Sequence, residues 1–437
     1  MNFKIAITTL FMALGFANFA QNNSSPYSIM GIGDIEKSSL DRTSGTGHAG
    51  VAMYSDRYMI AANPASYVNL NNKFFHFEVN SRFKSTTFQG RTITNGQENQ
   101  ANDLQFKRIA LAIKLKNNWA ISAGLMPFSG ANYSFFGTKN VQGSAQTLNT
   151  FNEGSGSTNM VYLANSYRVR FGNAKDSNRL FKNSILNLGF QASYLFGQFN
   201  HKESIFSNLT DSILVSETNT FYTNPLLKFG MQFHQQIGKS WMVGIGATAG
   251  LQNNLASEES YKITDGSTVL KETGKQTVNA FKIPSTYTVG LNISHNAKYA
   301  LLVDYTTQNW GTTNYRGFNY SLVNSNRVSG GFQFTKNYQL RDGSIYEKSF
   351  FQIGAFYNKS YLRVAGEQIN DYGFTLGAGI QLLGRDPREI GKLSLHANME
   401  IGTRGTTIKN LVKENYTQFG ITLCYRDFWF TNVKRYD

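Results

Sequence analysis

Cysteine, proline and charged residues are all scarce in this chain of 437 residues. The single cysteine, Cys424, excludes an internal disulfide. Only 6 prolines are present, which leaves long stretches able to form hydrogen-bonded ladders. Charged residues make up 16% of the chain, below the ~25% of typical soluble domains. After the first twenty residues, no apolar run approaches the ~18 residues of a membrane-spanning helix. These absences exclude a disulfide-stabilised scaffold and a helical membrane protein.

Aromatic residues and glycine are abundant instead. Phe, Tyr and Trp reach 14% and glycine occurs 40 times. This combination is typical of a large β-protein that has an apolar and a polar surface. The formal net charge of +15 is spread thinly, without a dense run of Lys or Arg. The composition therefore argues against nucleic acid as a partner.

The first twenty residues have the pattern of a secretory signal peptide. Lys4 precedes the apolar core Ile5–Phe16, and Ala17–Ala20 offers a cleavage site of small residues. The sequence thus predicts an exported protein. It is then soluble in the periplasm, secreted, or a barrel in an outer membrane.

A glycine- and alanine-rich stretch, Gly45–Tyr67, lacks the alternation of a strand and contains Asn63, Pro64 and Ala65 near its end. Everything after it alternates. We therefore predict four parts: a signal peptide (1–20), an N-terminal hatch or plug (21–72), a transmembrane β-barrel (73–430) and a short periplasmic tail (431–437). The bland alternative for Asn63–Ala65 is an ordinary loop that enters the first strand.

Segment after segment shows a period of two, with one apolar face and one face of Gly, Thr, Ser, Asn and Gln. The polar face of a soluble sandwich is usually rich in Lys and Glu, whereas this one suits a barrel interior. The pattern predicts an all-β fold, an antiparallel transmembrane barrel of about 14 strands with both ends in the periplasm. Examples of the apolar face are Leu186, Leu188, Phe190 and Tyr194; Phe374, Leu376, Ala378 and Ile380; and Phe281, Ile283, Tyr287 and Val289.

The connections and strand ends add detail to this prediction. Short spacers such as Asn117-Asn118 alternate with long polar ones, for which we expect outer loops at Gly137–Gly156 and Thr264–Lys275. Aromatic residues at strand ends are expected to form interfacial girdles. They include Tyr133, Phe135, Phe136, Trp310, Tyr315, Phe428, Trp429 and Phe430.

One strand is interrupted by Gly124, Pro127 and Gly130. Proline cannot donate to a ladder, so this third strand should be kinked or locally unpaired. The interruption can serve as a lateral gate. It can equally be a bulge that relieves curvature of the wall.

Several landmarks in their order resemble the FadL-like outer-membrane channels for long-chain fatty acids and aromatic hydrocarbons. The resemblance covers most of the chain and is carried by order and spacing more than by identity. It rests on Ala62–Ala65, Gly124–Phe128, Ile283–Leu291 and Leu302–Thr306 followed by Trp310. It implies a fourteen-stranded barrel closed by an N-terminal hatch. It also implies a hydrophobic ligand that enters the lumen and leaves through a gap at the kinked third strand.

This resemblance leaves two functions open. The first is passive uptake of small hydrophobic molecules, fatty-acid-like or aromatic, across the outer membrane of a Gram-negative bacterium. Outer-membrane lipid, lipopolysaccharide and a hydrophobic small molecule would then be the partners. The second is a non-transporting barrel that acts as a scaffold or an accessory of protein secretion, with a secretion-machinery or surface-protein partner, because the family also includes such an accessory. The segment Ser207–Leu214 is shorter than the capture loop of fatty-acid channels.

Four basic residues are predicted on the lumen side, where they can pair with a ligand carboxylate, with luminal Asp and Glu, or with water. They are Lys114, Arg168, Arg170 and Lys282. The six histidines are scattered, without an HExxH motif or a close pair of metal ligands. We expect no catalytic set, no metal and no cofactor, and hence no enzyme activity.

Overall fold

The computed structural model describes residues 25–37, 40–90, 99–141, 143, 146–171, 184–206, 213–278, 281–313, 315–317, 319–339, 345–382 and 392–428. The predicted signal peptide and the tail 431–437 lie outside these residues. So do the predicted girdle residues Trp429 and Phe430, and most of the short segment at 207–214.

Fourteen antiparallel strands within the described residues form one closed barrel, which confirms the predicted fold class. The first strand, β1, pairs with β2 on one side and with β14 on the other, from Phe74 opposite Phe428 to Gly90 opposite Val412. The strands are β1 (Phe74–Gly90), β2 (Gln100–Lys116), β3 (Trp119–Gly130, continued by Tyr133–Asn140), β4 (Thr147–Phe171), β5 (Ser184–Phe206), β6 (Ile213–Ile237), β7 (Trp241–Gly250, Asn253–Asn254 and Ala256–Asp265), β8 (Thr268–Val278, Lys282–Ile283 and Thr286–His295), β9 (Tyr299–Gln308 with Arg316–Gly317), β10 (Tyr320–Leu322 and Ser325–Gln339), β11 (Ile345–Val364), β12 (Glu367–Leu382), β13 (Leu393–Gly405) and β14 (Val412–Phe428).

Helical structure among the described residues is confined to single 3₁₀ turns. Three of them, Pro26–Ile29, Arg42–Thr46 and Pro64–Asn69, lie in the N-terminal segment, which we define as residues 25–72. Two more occur in connections, at Trp310–Thr313 and Ile408–Asn410. None of the described helices is long and apolar enough to cross a membrane.

The alternation in sequence becomes an alternation in exposure. On β12, Phe374 is 71% and Leu376 52% exposed, whereas Thr375 between them is completely buried. Because the exposed residues are large and apolar on nearly every strand, the outer surface of the wall is suited to hydrocarbon rather than to water.

Near one end of several strands the alternation reverses, so that apolar side chains face inward and polar side chains face outward. Phe281 and Ile283 are buried and Lys282 is exposed, opposite to the faces predicted for them. The break at Pro284 and Ser285, where β8 leaves its ladder, permits the change of face. Trp310 and Tyr133, predicted in an interfacial girdle, are also buried.

These inward apolar residues form a hydrophobic core that fills one end of the lumen. Tyr27 and Ile32 of the N-terminal segment pack in it together with residues of the wall. Burial of such side chains stabilises the fold by about 1.5–3 kcal/mol each. The other large members are Phe88, Tyr133, Leu195, Phe199, Leu255, Phe281, Ile283, Trp310, Leu322, Leu362 and Ile369.

Two predicted outer loops are instead β-hairpins. Most of Gly137–Gly156 belongs to strands β3 and β4, and Thr264–Lys275 forms the tip of a hairpin between β7 and β8. At 25 residues, β4 and β6 are more than twice the ~9–11 residues that cross a bilayer. The hairpins of β3 to β8 therefore extend beyond the apolar belt as a sheet.

The N-terminal segment lies against the inward face of the wall, where glycines give its backbone room. Gly189 alternates with the exposed Leu188 and Phe190 and so faces inward. A Cβ atom at Gly189 would lie 2.2 Å from the backbone nitrogen of Ala65. On the opposite wall, a Cβ at Gly354 would lie 2.3 Å from the nitrogen of Gly47. Any larger residue at these positions must displace the segment.

We expect Gly189→Ala to destabilise the docked N-terminal segment by about 1–3 kcal/mol, the usual cost of overpacking. The matched control is Gly274→Ala, because a Cβ at Gly274 meets no atom within 4 Å. Limited proteolysis of the folded barrel measures the release of residues 25–72. Equal cleavage of the two variants would contradict the contact.

Candidate ligand cavity and lateral seam

Asn63 connects the N-terminal segment to the wall. Its side-chain oxygen accepts from the nitrogen of Ala65 at 3.0 Å and caps the 3₁₀ turn that begins at Pro64. Its amide nitrogen donates to the carbonyls of Val51 and Met231, both at 2.9 Å. Asn63, Pro64 and Ala65 are all buried. A mobile hatch at these residues remains a prediction, and so do the predicted domain boundaries.

Carboxylates of the wall hold the backbone of the N-terminal segment. Asp304 on β9 accepts from the nitrogens of Gly50 at 2.7 Å and Val51 at 3.0 Å. Glu78 on β1 accepts from the nitrogen of Met59 at 2.9 Å and is paired with the buried Arg108. A segment without regular secondary structure needs such partners, because a buried backbone donor left unpaired costs about 1–3 kcal/mol.

Ion pairs between segment and wall complete these anchors. Arg42 makes a two-pronged contact with Glu347 on β11, at 2.6 and 2.8 Å, and lies over the ring of Phe350. His48 contacts Glu400 on β13 at 2.6 Å. Bidentate geometry and low exposure make the Arg42 pair stronger than a surface ion pair.

The wall has a discontinuity between β2 and β3. Their pairing runs from Lys116 opposite Trp119 to Ile109 opposite Leu125, and the described residues of β3 beyond Leu125 have no partner on β2. In pairing with β4, the register of β3 shifts between Pro127 and Ser129. Beyond Leu125, β3 is thus separated from β2, and it carries an irregularity of the kind that a bulge produces. A lateral gate at Gly124, Pro127 and Gly130 remains a prediction.

A short piece of the N-terminal segment occupies the edge that β3 leaves open. Asp34 pairs with Gly130 and Ile35 with Ser129, and the nitrogen of Glu36 donates to the carbonyl of Phe128 at 2.9 Å. We call this region, where residues 34–37 take the place of β2 beside β3, the seam. The edge of β3 at Phe128, Ser129 and Gly130 is thus paired from inside the barrel rather than by the neighbouring strand.

Charged residues fasten the seam on both sides. Glu36 is paired with Lys107 and lies 3.4 Å from Arg82. Asp34 lies 2.7 Å from Arg404, and Lys37 contacts Asp371. Burial raises the pKa of Asp34, but Arg404 and Lys37 outweigh burial and lower this pKa to about 2. The pKa of Glu36 is also lowered, because Lys107 and Arg82 outweigh its burial.

A cavity of about 360 Å³ lies inside the barrel beside the seam. Its apolar lining residues include Met126, Phe128 and Trp310. Its polar lining residues include His48 and Asp304. Its volume falls within the ~300–1,000 Å³ range of small-molecule sites, and its mixed lining suits a molecule with an apolar body and a polar group.

A second cavity of about 430 Å³ adjoins the first. Both are lined by Asp34–Lys37 and Pro127. The second also contacts Phe106, which is 57% exposed on the outer surface, and Glu400, which faces inward. Residues 34–37 and Pro127 thus stand between the inner cavity and the outer face of the wall.

The predicted cationic residues are not all in the lumen. Lys114 and Arg168 are buried on the inward face, and Arg168 donates to Asn187 at 2.9 Å and to Asn69. Arg170 is exposed near the end of β4, and Lys282 is exposed on the face opposite to the predicted one. None of the four lines the 360 Å³ cavity, and their contact with a ligand remains a prediction.

Sequence reasoning missed several charged residues at the cavity, and Arg327 on β10 is one of them. Its side chain lines both cavities and donates to the carbonyl of Gly47 at 3.2 Å. It stands in the polar alternation of β10, but the pattern alone could not rank it above other inward cations. Among the described residues, no group of three His, Cys, Asp or Glu side chains is placed to hold a metal ion.

We expect Glu36→Gln to loosen the seam. The change leaves the buried Lys107 without its carboxylate partner, and such a loss costs about 3–5 kcal/mol. Hydrogen exchange of residues 34–37 measures the effect. The matched control, Glu203→Gln, removes an exposed ion pair with Lys139 and should cost at most about 1 kcal/mol. Similar exchange in both variants would show that Glu36 does not hold the seam.

The seam should also respond to acid. The folded pKa of Asp34, about 2, lies below its unfolded value near ~4. Ionised Asp34 therefore stabilises the docked segment above pH ~4, and this contribution is lost as the pH falls towards 2. Hydrogen exchange of residues 34–37, followed between these pH values, checks the loss. In Asp34→Asn the same acid step should be smaller; an unchanged step would assign it to other groups.

The barrel is similar to solved structures that include a channel and a transporter. A FadL homologue of Pseudomonas aeruginosa matches with a TM-score of 0.52 and 12% identity, over 89% of this chain and 98% of that chain. The toluene transporter TodX of P. putida matches with a TM-score of 0.55 and 11% identity, over 89% and 98%. The monoaromatic hydrocarbon channel CymD matches with a TM-score of 0.51 and 11% identity, over 88% and 96%. At these identities the likeness concerns the fold alone.

No curated protein matches the sequence. The family comparison, in contrast, covers the whole chain, since the BamG family matches residues 1–437. The chain therefore belongs to the BamG family, with a FadL-like barrel as its fold.

Proposed function

We propose that this protein is an outer-membrane channel of a Gram-negative bacterium for passive uptake of small hydrophobic molecules. The observation that supports the proposal is the 360 Å³ cavity, which is lined both by residues 34–37 of the seam and by the apolar Met126 and Phe128 of β3. A molecule held beside Met126 and Phe128 is separated from the outer face of the wall by residues 34–37 and Pro127.

The route follows from where such a molecule is soluble. The polar sugar layer of lipopolysaccharide holds back a fatty-acid-like or aromatic compound, whereas a barrel shields it. In the proposed route the molecule enters the cavity, residues 34–37 leave the edge of β3, and the molecule passes sideways into hydrocarbon. Gly124, Pro127 and Gly130 supply the irregular strand along which the seam parts, and Asn63–Ala65 anchor the part of the hatch that stays.

The charges at the seam make its opening costly but possible. Residues 34–37 are held by a few backbone hydrogen bonds and by ion pairs with Lys107, Arg404 and Asp371. The remainder of the segment is fixed by glycine contacts and carboxylates on several strands. Opening therefore needs only a local release rather than expulsion of the whole segment.

A second candidate is a non-transporting barrel that serves as a scaffold or accessory in protein secretion. The sheet formed by the extended hairpins of β3 to β8 favours it. Within the described residues, Thr268–Val278 pairs only with Ala256–Asp265, and most of its side chains are exposed. An exposed edge of this length is a ready site for strand addition by another protein.

A disulfide across the seam tests the channel. Ile35 and Ser129 are directly opposed in an antiparallel pair, which brings Cα atoms within the range of a disulfide. In a Cys424→Ser background, we expect Ile35→Cys with Ser129→Cys to lower uptake of a fluorescent long-chain fatty acid at least about tenfold under oxidising conditions. Reduction should restore uptake in host cells that lack their own channel.

The control for this experiment is a second disulfide within the wall. Ser349→Cys and Ile380→Cys are opposed on β11 and β12, away from the seam, and should leave uptake unchanged. Equal uptake by the oxidised and reduced seam variants would refute lateral exit at this place. No uptake by any variant would favour the scaffold.

A further inference from the structure

Three exposed lysines lie on adjoining parts of the wall at the end of β8 to β11 where the β8–β9 turn is found. Lys298 lies in the turn before β9, and its carbonyl accepts from the nitrogen of Thr335 at 2.7 Å. The next residue, Lys336, is opposite Ser349 on β11, and Lys348 precedes Ser349. All three lysines are exposed. We call Lys298, Lys336 and Lys348 the lysine triad.

The acidic residue next to Lys348 in sequence, Glu347, forms its ion pair with Arg42 and not with a lysine of the triad. The register of β10 and β11 shifts between Lys336 and Asn337, so that Lys348 is an additional residue in β11. Glu347, its neighbour in sequence, turns inward and pairs with the buried Arg42. In the described part of the chain, no member of the triad has a carboxylate within 4.0 Å.

Aromatic rings lie beside the triad on the outer surface. Tyr299 is opposite Phe334, which in turn is opposite Phe351, so that one ring follows another across three strands. The ammonium group of Lys298 lies 5.2 Å from the ring centre of Tyr299 and 5.5 Å from that of Phe334. Phe351 is 56% exposed, and the larger apolar belt continues from it through Ile353. Aromatic side chains in this arrangement mark the level of lipid headgroups.

We infer that the lysine triad binds the phosphate of an anionic phospholipid headgroup. The acyl chains would then lie on Leu301, Phe332 and Ile353, which are exposed on the same strands. Charge and apolar surface coincide here, and this favours a lipid over an acidic protein, which would not need the adjoining hydrocarbon surface. The inference rests on the membrane placement proposed above and is independent of the cargo.

The occupant has a defined chemistry. Three ammonium groups supply donors to the oxygens of one phosphate or of two neighbouring headgroups, and each is expected to add to the attraction. A zwitterionic lipid places its own ammonium near the phosphate and so is bound less well. The triad therefore predicts a preference for phosphatidylglycerol over phosphatidylethanolamine.

Native mass spectrometry of the full chain in mild detergent tests this preference. With both lipids added in equal amounts, we expect the protein to retain phosphatidylglycerol over phosphatidylethanolamine. The triple change Lys298→Gln, Lys336→Gln and Lys348→Gln should lower the retention of phosphatidylglycerol roughly tenfold. Excess inorganic phosphate should not displace the lipid, because free phosphate lacks the acyl chains.

A control with the same change of charge separates the triad from the overall charge. The control is the triple change Lys262→Gln, Lys271→Gln and Lys275→Gln on the hairpin of β7 and β8. It should leave lipid retention unchanged. Heat-dependent migration in gels shows that each variant is folded. Equal retention by the two triple variants, or displacement by phosphate alone, would overturn the inference. The inference would also be overturned if an acidic protein that stays bound to the unchanged chain were lost from the triad variant while that variant retained phosphatidylglycerol as before. Uptake through the seam is measured separately, so a failure of the proposed uptake can be distinguished from a failure of lipid binding.

Discussion

The contact between the N-terminal segment and inward glycines of the wall is the constraint on which the rest of the structure depends. At Gly189 and Gly354 the segment lies so close that a Cβ atom would meet its backbone at 2.2 and 2.3 Å. A backbone this near to the wall is cut off from water, so its donors must be satisfied locally. Asp304 and Glu78 do this from β9 and β1. Position of the segment, choice of glycine and placement of buried carboxylates are thus parts of one arrangement.

The N-terminal segment also completes the pairing of the wall at the seam. Beyond Leu125, β3 is completed by Asp34 and Ile35 rather than by β2. The hydrogen bonds recorded at this edge come from a piece of chain that is attached by ion pairs and is continuous with the rest of the N-terminal segment. A barrel wall made only of neighbouring strands has no comparable place for local release. The apolar core at one end of the lumen and the polar anchors elsewhere leave the 360 Å³ cavity beside this place.

The strand count and the outward faces could be predicted from the sequence, because a period of two reports directly on a wall between hydrocarbon and a polar lumen. Pro127 likewise predicts an irregular third strand, because proline cannot donate a backbone hydrogen bond to a neighbouring strand. The inward apolar core could not be predicted. On β8 the apolar residues Phe281 and Ile283 before Pro284 face inward, whereas the apolar residues Tyr287 and Val289 after it face outward, and the residue types do not reveal the change. Nor could the seam contacts: Glu36 and Lys107, or Asp34 and Arg404, are far apart in the chain and meet only through the closed barrel. The hairpins at 137–156 and 264–275 could not be distinguished from loops, because polar residues also suit a sheet that is exposed to water.

The most direct test of the account is an electron cryomicroscopy map of the protein extracted from its membrane in mild detergent, with mass spectrometry of bound small molecules. A channel of this kind should show elongated apolar density beside Met126 and Phe128, in contact with residues 34–37, and a seam in which β2 and β3 part after Leu125. A cavity filled by side chains, together with continuous pairing of β2 and β3 along their length, would contradict it.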